Sequence, residues 1–141
     1  MAIKRGLLAF VELLLDAGAE VNDYNATNKQ TSIHLAIGNN RPESLELLLR
    51  FGANVNQREG EGGRTPLHTL ICKWNSKGYE EFRWTYFDLL LSQPAIDINI
   101  QDNGENTPLE LAVYKNLQQV AKKLLQAGAV VNQRIRQLME V

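Results

Sequence analysis

Apolar residues return along this chain at helical spacing, in clusters separated by small and polar residues. Leu45, Leu48 and Leu49 form one set, Val120, Leu124 and Leu125 a second, and Val11, Leu14 and Leu15 a third. Each set gives one face of a helix that must be buried against a neighbour. Each precedes a glycine, Gly52, Gly128 or Gly18, placed where a left-handed residue stops a helix. Thr31, Thr65 and Thr107 suit helix N-caps, because a hydroxyl there can accept an orphan backbone N–H. Pro66 and Pro108 follow at the first helical position, where a missing N–H costs nothing. Pro42 plays the same part for a second helix after the Gly38-Asn39-Asn40 break.

These elements recur as a unit. Four segments end alike, at Gly18-Ala19-Glu20-Val21-Asn22, Gly52-Ala53-Asn54-Val55-Asn56, Ala95-Ile96-Asp97-Ile98-Asn99 and Gly128-Ala129-Val130-Val131-Asn132. Three begin alike, at Thr31-Ser32-Ile33-His34-Leu35-Ala36, Thr65-Pro66-Leu67-His68-Thr69-Leu70 and Thr107-Pro108-Leu109-Glu110-Leu111-Ala112. The terminal asparagines are spaced by 34, 43 and 33 residues. Most of the excess in the third unit lies between Thr65 and the Leu89-Leu90-Leu91 triplet, where 26 residues replace the 18 that separate Thr31 from Leu49.

In period and in the Thr-Pro-Leu-His signature these segments resemble the ankyrin repeat, over nearly the whole chain. The resemblance implies an all-α solenoid of helix-turn-helix units joined by β-hairpin loops. Residues 1–141 then form a single domain. Its units cover about residues 1–22 (partial), 23–56, 57–99 with an interhelix insert near 74–84, and 100–132. Residues 133–141 form a partial repeat or a C-terminal cap built on Ile135, Leu138 and Met139. Gly6 matches the glycine between the two helices of a unit, so the first copy starts mid-unit. One unit cannot bury its own leucines, so stability is a sum over stacked neighbours.

Composition adds exclusions. The net charge of −1 provides no field to draw nucleic acid or anionic lipid. Cys72 is the sole cysteine, which rules out an internal disulfide and fits a reducing, intracellular setting in cytoplasm or nucleus. Lys4, Arg5 and the apolar run from Leu7 to Leu15 outline a signal peptide, but Glu12 interrupts the run and the segment recurs downstream as a structural unit. No apolar run is long enough to span a membrane.

The candidate chemistry is sparse. Cys72 lies four residues after His68 on one helical face, but two ligands are too few for a zinc site. The resemblance implies instead that His34 and His68 bond to hairpin backbone, and Glu110 takes the equivalent place in the fourth unit. Glu59-Gly60-Glu61-Gly62-Gly63 lacks the lysine of a phosphate loop and suits a hairpin tip that needs positive backbone angles. No nucleophile–base arrangement stands out, so the chain reads as a non-enzyme with no cofactor and no metal.

Trp74, Tyr79, Phe82, Trp84 and Tyr86 crowd the insert. They extend two helices and pack the extension, with Phe82, Tyr86 and Phe87 inside, or they present Trp74 or Trp84 as a contact patch. Ankyrin domains bind proteins through hairpin tips and the exposed side of the first helices. The matching positions are Thr27, Asn28, Gln30 and Asn39; Glu61, Arg64 and Lys73; and Asn103, Glu105, Asn106, Tyr114 and Lys115, with Tyr114 as anchor. The resemblance thus implies a monomeric module for a protein partner, with neither nucleic acid nor membrane as ligand. A structural spacer in a larger ankyrin protein, an inhibitor of Rel-type transcription factors, and a host-directed bacterial or viral effector are the alternatives. Asn22 and Asn99 also resemble substrates of an asparaginyl hydroxylase, each preceded by an acidic–aliphatic pair with leucine eight residues upstream.

Overall fold

The structure, a computed structural model, describes residues 2–22 and 29–139. Among the described residues there are eight helices and no β-strand. Helices α2 (Ser32–Gly38), α4 (Pro66–Cys72) and α6 (Pro108–Tyr114) are the first helices of three units, each 7 residues long. Their antiparallel partners α3 (Pro42–Arg50), α5 (Arg83–Leu91) and α7 (Gln118–Gln126) have 9 residues each. Helix α1 (Ala2–Asp16) packs on α3 from one end of the stack, and α8 (Gln133–Met139) packs on α6 at the other.

Local sequence accounts for the helix ends. Thr65 and Thr107 each cap by accepting the N–H three residues on, and the side chain of His68 or Glu110 reaches back to the cap N–H. Gly18, Gly52 and Gly128 have φ of +97°, +86° and +99° and terminate α1, α3 and α7. The third unit lacks such a glycine. There α5 closes through Gln93 N–H to Leu90 O, just before Pro94. The core is one continuous cluster running through the stack, from Ile33, Leu45 and Leu48 through Leu67, Leu70 and Phe87 to Leu109, Leu124 and Ile135.

The loops before α4 and α6 are hairpin turns closed by backbone bonds, Glu59 N–H to Arg64 O (2.8 Å) and Asp102 N–H to Asn106 O (3.0 Å), without a regular β-strand among the described residues. Three expectations are corrected. Helix α1 runs unbroken through Gly6. The insert does not lengthen its helices, because α4 and α5 keep the standard lengths and residues 73–82 form turns between them. Finally, the leucine faces are not uniformly buried. Leu14 is 49% exposed and Leu125 46%, and of the cap residues only Ile135 is buried while Leu138 and Met139 face solvent.

The insert instead staples the third unit to the second. Tyr79 Oη donates to the carbonyls of Ile37 and Gly38 at the end of α2, both at 2.7 Å. Asn40, at φ +56°, donates to Gly78 O and accepts from Tyr86 Oη, each at 2.7 Å. The Tyr79 hydroxyl thereby serves carbonyls at the C-terminus of α2, where a helix leaves acceptors without intrahelical donors.

Candidate partner-binding surface

The loops before α4 and α6 are folded around buried carboxylates. Glu59 accepts backbone N–H bonds from Gly62 (2.6 Å), Arg64 (3.0 Å) and Glu61 (3.2 Å). Burial opposes its charge, but these three donors outweigh burial and hold the carboxyl below its usual range. Asp102 accepts from Gly104 and Asn106, both at 2.9 Å. Successive tips are also tied to one another. Gly60 N–H donates to Lys29 O (2.7 Å), Asn103 N–H to Gly62 O (2.8 Å), and Arg58 Nη2 to Asn103 Oδ1 (3.1 Å). Of the three glycines in this loop only Gly63 has positive φ, at +64°, and a Cβ there would strike Asn103 Oδ1 and Arg58 Nη2.

Each histidine links its own cap to the next unit. His34 Nδ1 pairs with Thr31 Oγ1 at 2.7 Å, and Nε2 lies 2.8 Å from Arg64 O. His68 repeats this with Thr65 Oγ1 and Asn106 O, at 2.7 and 2.8 Å. Thr65 N–H donates to His68 Nδ1, so Nε2 carries the proton and donates to the carbonyl. Both ring nitrogens are engaged, which leaves neither histidine free to hold a metal beside Cys72. Glu110 does the corresponding work toward α8. Its Oε1 accepts from Asn132 Nδ2 at 2.7 Å, and Oε2 pairs with Arg134 Nη1 at 3.4 Å.

Burial lowers the pKa of both histidines, ahead of the opposing effect of the carbonyl each one bonds. A histidine with a lowered folded pKa contributes its full stability above the ordinary value of 6.5 and loses it as pH falls below that. Glu59, also lowered, contributes above its ordinary 4.5 and loses that contribution below it. All three act in the same direction. Urea midpoints measured from pH 7.5 downward should therefore fall, first through the histidine range and again below about 4.5. A midpoint that holds or rises between pH 7.5 and 4 would contradict this assignment.

The terminal asparagines form a second ladder. Asn22 Oδ1 accepts Asn54 N–H (2.7 Å), Asn56 Oδ1 accepts Asp97 N–H (2.8 Å), and Asn99 Oδ1 accepts Val130 N–H (2.9 Å). The two positions resembling hydroxylation targets, Asn22 and Asn99, are thus rungs of this ladder. Its signal was the recurrence of an asparagine at the same place in every unit.

The predicted contact residues are distributed unevenly. Thr27 and Asn28 lie outside the described residues. Asn39, Glu61, Arg64, Asn103, Glu105 and Lys115 are exposed, and Gln30, Lys73 and Asn106 are half-buried. Glu105 sits at φ +63°, and its carbonyl accepts Arg134 Nη1 at 2.8 Å. Tyr114, at the end of α6, is 52% exposed and is the one large aromatic displayed among the described residues. Trp74 is only 4% exposed and belongs to the packing of the insert, so it offers little contact surface. Trp84 is half-buried beside it.

A stack of short-then-long helix pairs, capped by Thr-Pro and bridged by histidine to the next loop, has a family counterpart. The family model for ankyrin repeats (3 copies) matches residues 1–102, and that for a single ankyrin repeat matches residues 104–136. The chain belongs to the ankyrin-repeat family. No curated protein matches it. Ankyrin repeats are in general protein–protein interaction modules, typically without enzymatic activity. In this ankyrin chain the last matched segment ends within α8, so a helix stands where a further loop would begin. Among the described residues, no helix is long and apolar enough to cross a membrane.

Proposed function

We propose that this ankyrin chain binds a protein partner along its loop tips and the exposed ends of its first helices. The observation that carries this reading is a tyrosine displayed at the end of a first helix whose preceding loop is already fixed. Tyr114 ends α6 and is exposed, while Glu59 and Asp102 hold the loops before α4 and α6 by accepting backbone N–H bonds. A surface ordered before contact has less conformational entropy to lose on binding. Tyrosine and arginine are the residue types that most often anchor such contacts. Arg64, Glu61 and Glu105 at the tips, with Lys73 and Lys115 at the ends of α4 and α6, give a mixed-charge surface that sets orientation more than affinity. The setting we propose is an intracellular monomer, in keeping with a free, half-buried Cys72.

The double variant Tyr114→Ala with Arg64→Glu should lose the partner recovered by pull-down from the source cell, with binding weakened at least roughly a hundredfold. Its helical circular dichroism and melting curve should match the parent, because both side chains are exposed. Normal recovery of the partner by this variant would place the contact elsewhere.

A further inference from the structure

The insert of the third unit builds a second recess, at the far end of the first helices from the loop tips. It is a cleft of about 280 Å³ whose lining includes Trp74, Asn75, Arg83, Trp84, Gln118 and Gln119. Trp74 and Trp84 meet edge to face, with centroids 4.7 Å apart, so their rings form a fixed aromatic wall. The Arg83 guanidinium lies 5.2 Å from the Trp74 ring and donates from Nη1 to Trp74 O at 3.0 Å. Its Nε is sealed beneath the cleft surface, so the outer face of the guanidinium is what the cleft presents.

The surroundings favour a negative group. No acidic residue lines the cleft. Lys123 stands 4.8 Å from the Trp84 ring and pairs with the exposed Asp88 at 3.7 Å. The amides of Asn75, Gln118 and Gln119 are exposed and make no side-chain hydrogen bond. Helix α7 also begins at the cleft, and its N-cap, Leu117, makes no side-chain cap bond, so the positive end of the helix adds to the field.

We propose that this cleft is a docking site for a protein segment that presents a carboxylate beside an apolar side chain. The carboxylate sits against the Arg83 guanidinium and the amides of α7, where a charge-assisted hydrogen bond is stronger than a neutral one. The apolar neighbour lies on the half-buried Trp84. The site adjoins Lys73 at the end of α4, away from the loop tips, and uses neither Tyr114 nor Arg64.

Trp74 and Trp84 are the only tryptophans in the chain, so fluorescence excited selectively at tryptophan reads this cleft. The probe is an acetylated, amidated pentapeptide of alternating leucine and glutamate, compared with its leucine–glutamine counterpart and with inorganic phosphate. The acidic peptide should change the emission saturably, and the glutamine peptide and phosphate should not at the same concentrations. Arg83→Gln should weaken the response at least tenfold. Gln118→Glu should do the same by repulsion, while its melting temperature holds or rises because an acid in the first turn suits the helix. The Tyr114→Ala, Arg64→Glu variant should respond like the parent, which separates this site from the tip surface. No saturable response, equal binding of the glutamine peptide, an undiminished response in Gln118→Glu, or saturation by phosphate alone would each overturn the proposal, the last by showing a free-anion site.

Discussion

Leu48→Ala should destabilise the protein by about 2–5 kcal/mol, whereas Leu14→Ala should cost no more than about 1 kcal/mol. The two leucines occupy the same place in the repeat, eight residues before the terminal asparagine. Leu48 is buried on α3, which packs against α2 and α5, and it belongs to the continuous core. Removing its side chain leaves a cavity that the stacked helices can close only in part. Leu14 has no such cover and remains half in water. Thermal unfolding followed by circular dichroism should show a drop of at least roughly 6 °C for Leu48→Ala and a shift of a few degrees for Leu14→Ala. Equal shifts would mean that burial along the stack has been misplaced.

Phe87→Ala should be at least as damaging, at about 3–5 kcal/mol. The ring is fully buried. It meets Trp74 and Trp84 edge to face, at centroid distances of 5.9 and 5.5 Å. Such pairs add about 0.5–1.5 kcal/mol each beyond the area they bury. The ring also supports the region where the insert packs against the rest of the third unit. Its loss should therefore loosen both tryptophans, giving red-shifted emission, a weaker near-ultraviolet signal and a lower urea midpoint. Phe82, only half-buried, should tolerate the same change with a smaller loss. An unaltered urea midpoint for Phe87→Ala would show that the insert does not depend on this cluster.

The residues of the surface were legible to different degrees, according to the range of the interaction that places them. The threonine caps, the prolines at the first turn and the bonding of His34 and His68 to loop backbone could be read from the repeat signature. The cap bonds close over three residues, so the types required are neighbours in the chain. The asparagine ladder joins residues 31 to 41 positions apart, and a recurring asparagine does not say which backbone it will meet. The same holds for Tyr79, whose hydroxyl finds carbonyls 41 and 42 residues away. Glu59 looked like one charge in a glycine-rich tip. Its burial under three backbone donors appears only once the loop has closed.

The sequence by itself determined the unit, meaning where its helices start and stop, which residues cap them and which family they belong to. Those features are local bonds and turn geometries that neighbouring residues specify between themselves. The tertiary structure alone decided which leucines are core, that buried carboxylates hold the loops before α4 and α6, and that the insert folds into turns holding a tryptophan-lined cleft. Burial and long-range pairing depend on what stacks against each face, and identical repeat positions such as Leu14 and Leu48 meet different neighbours.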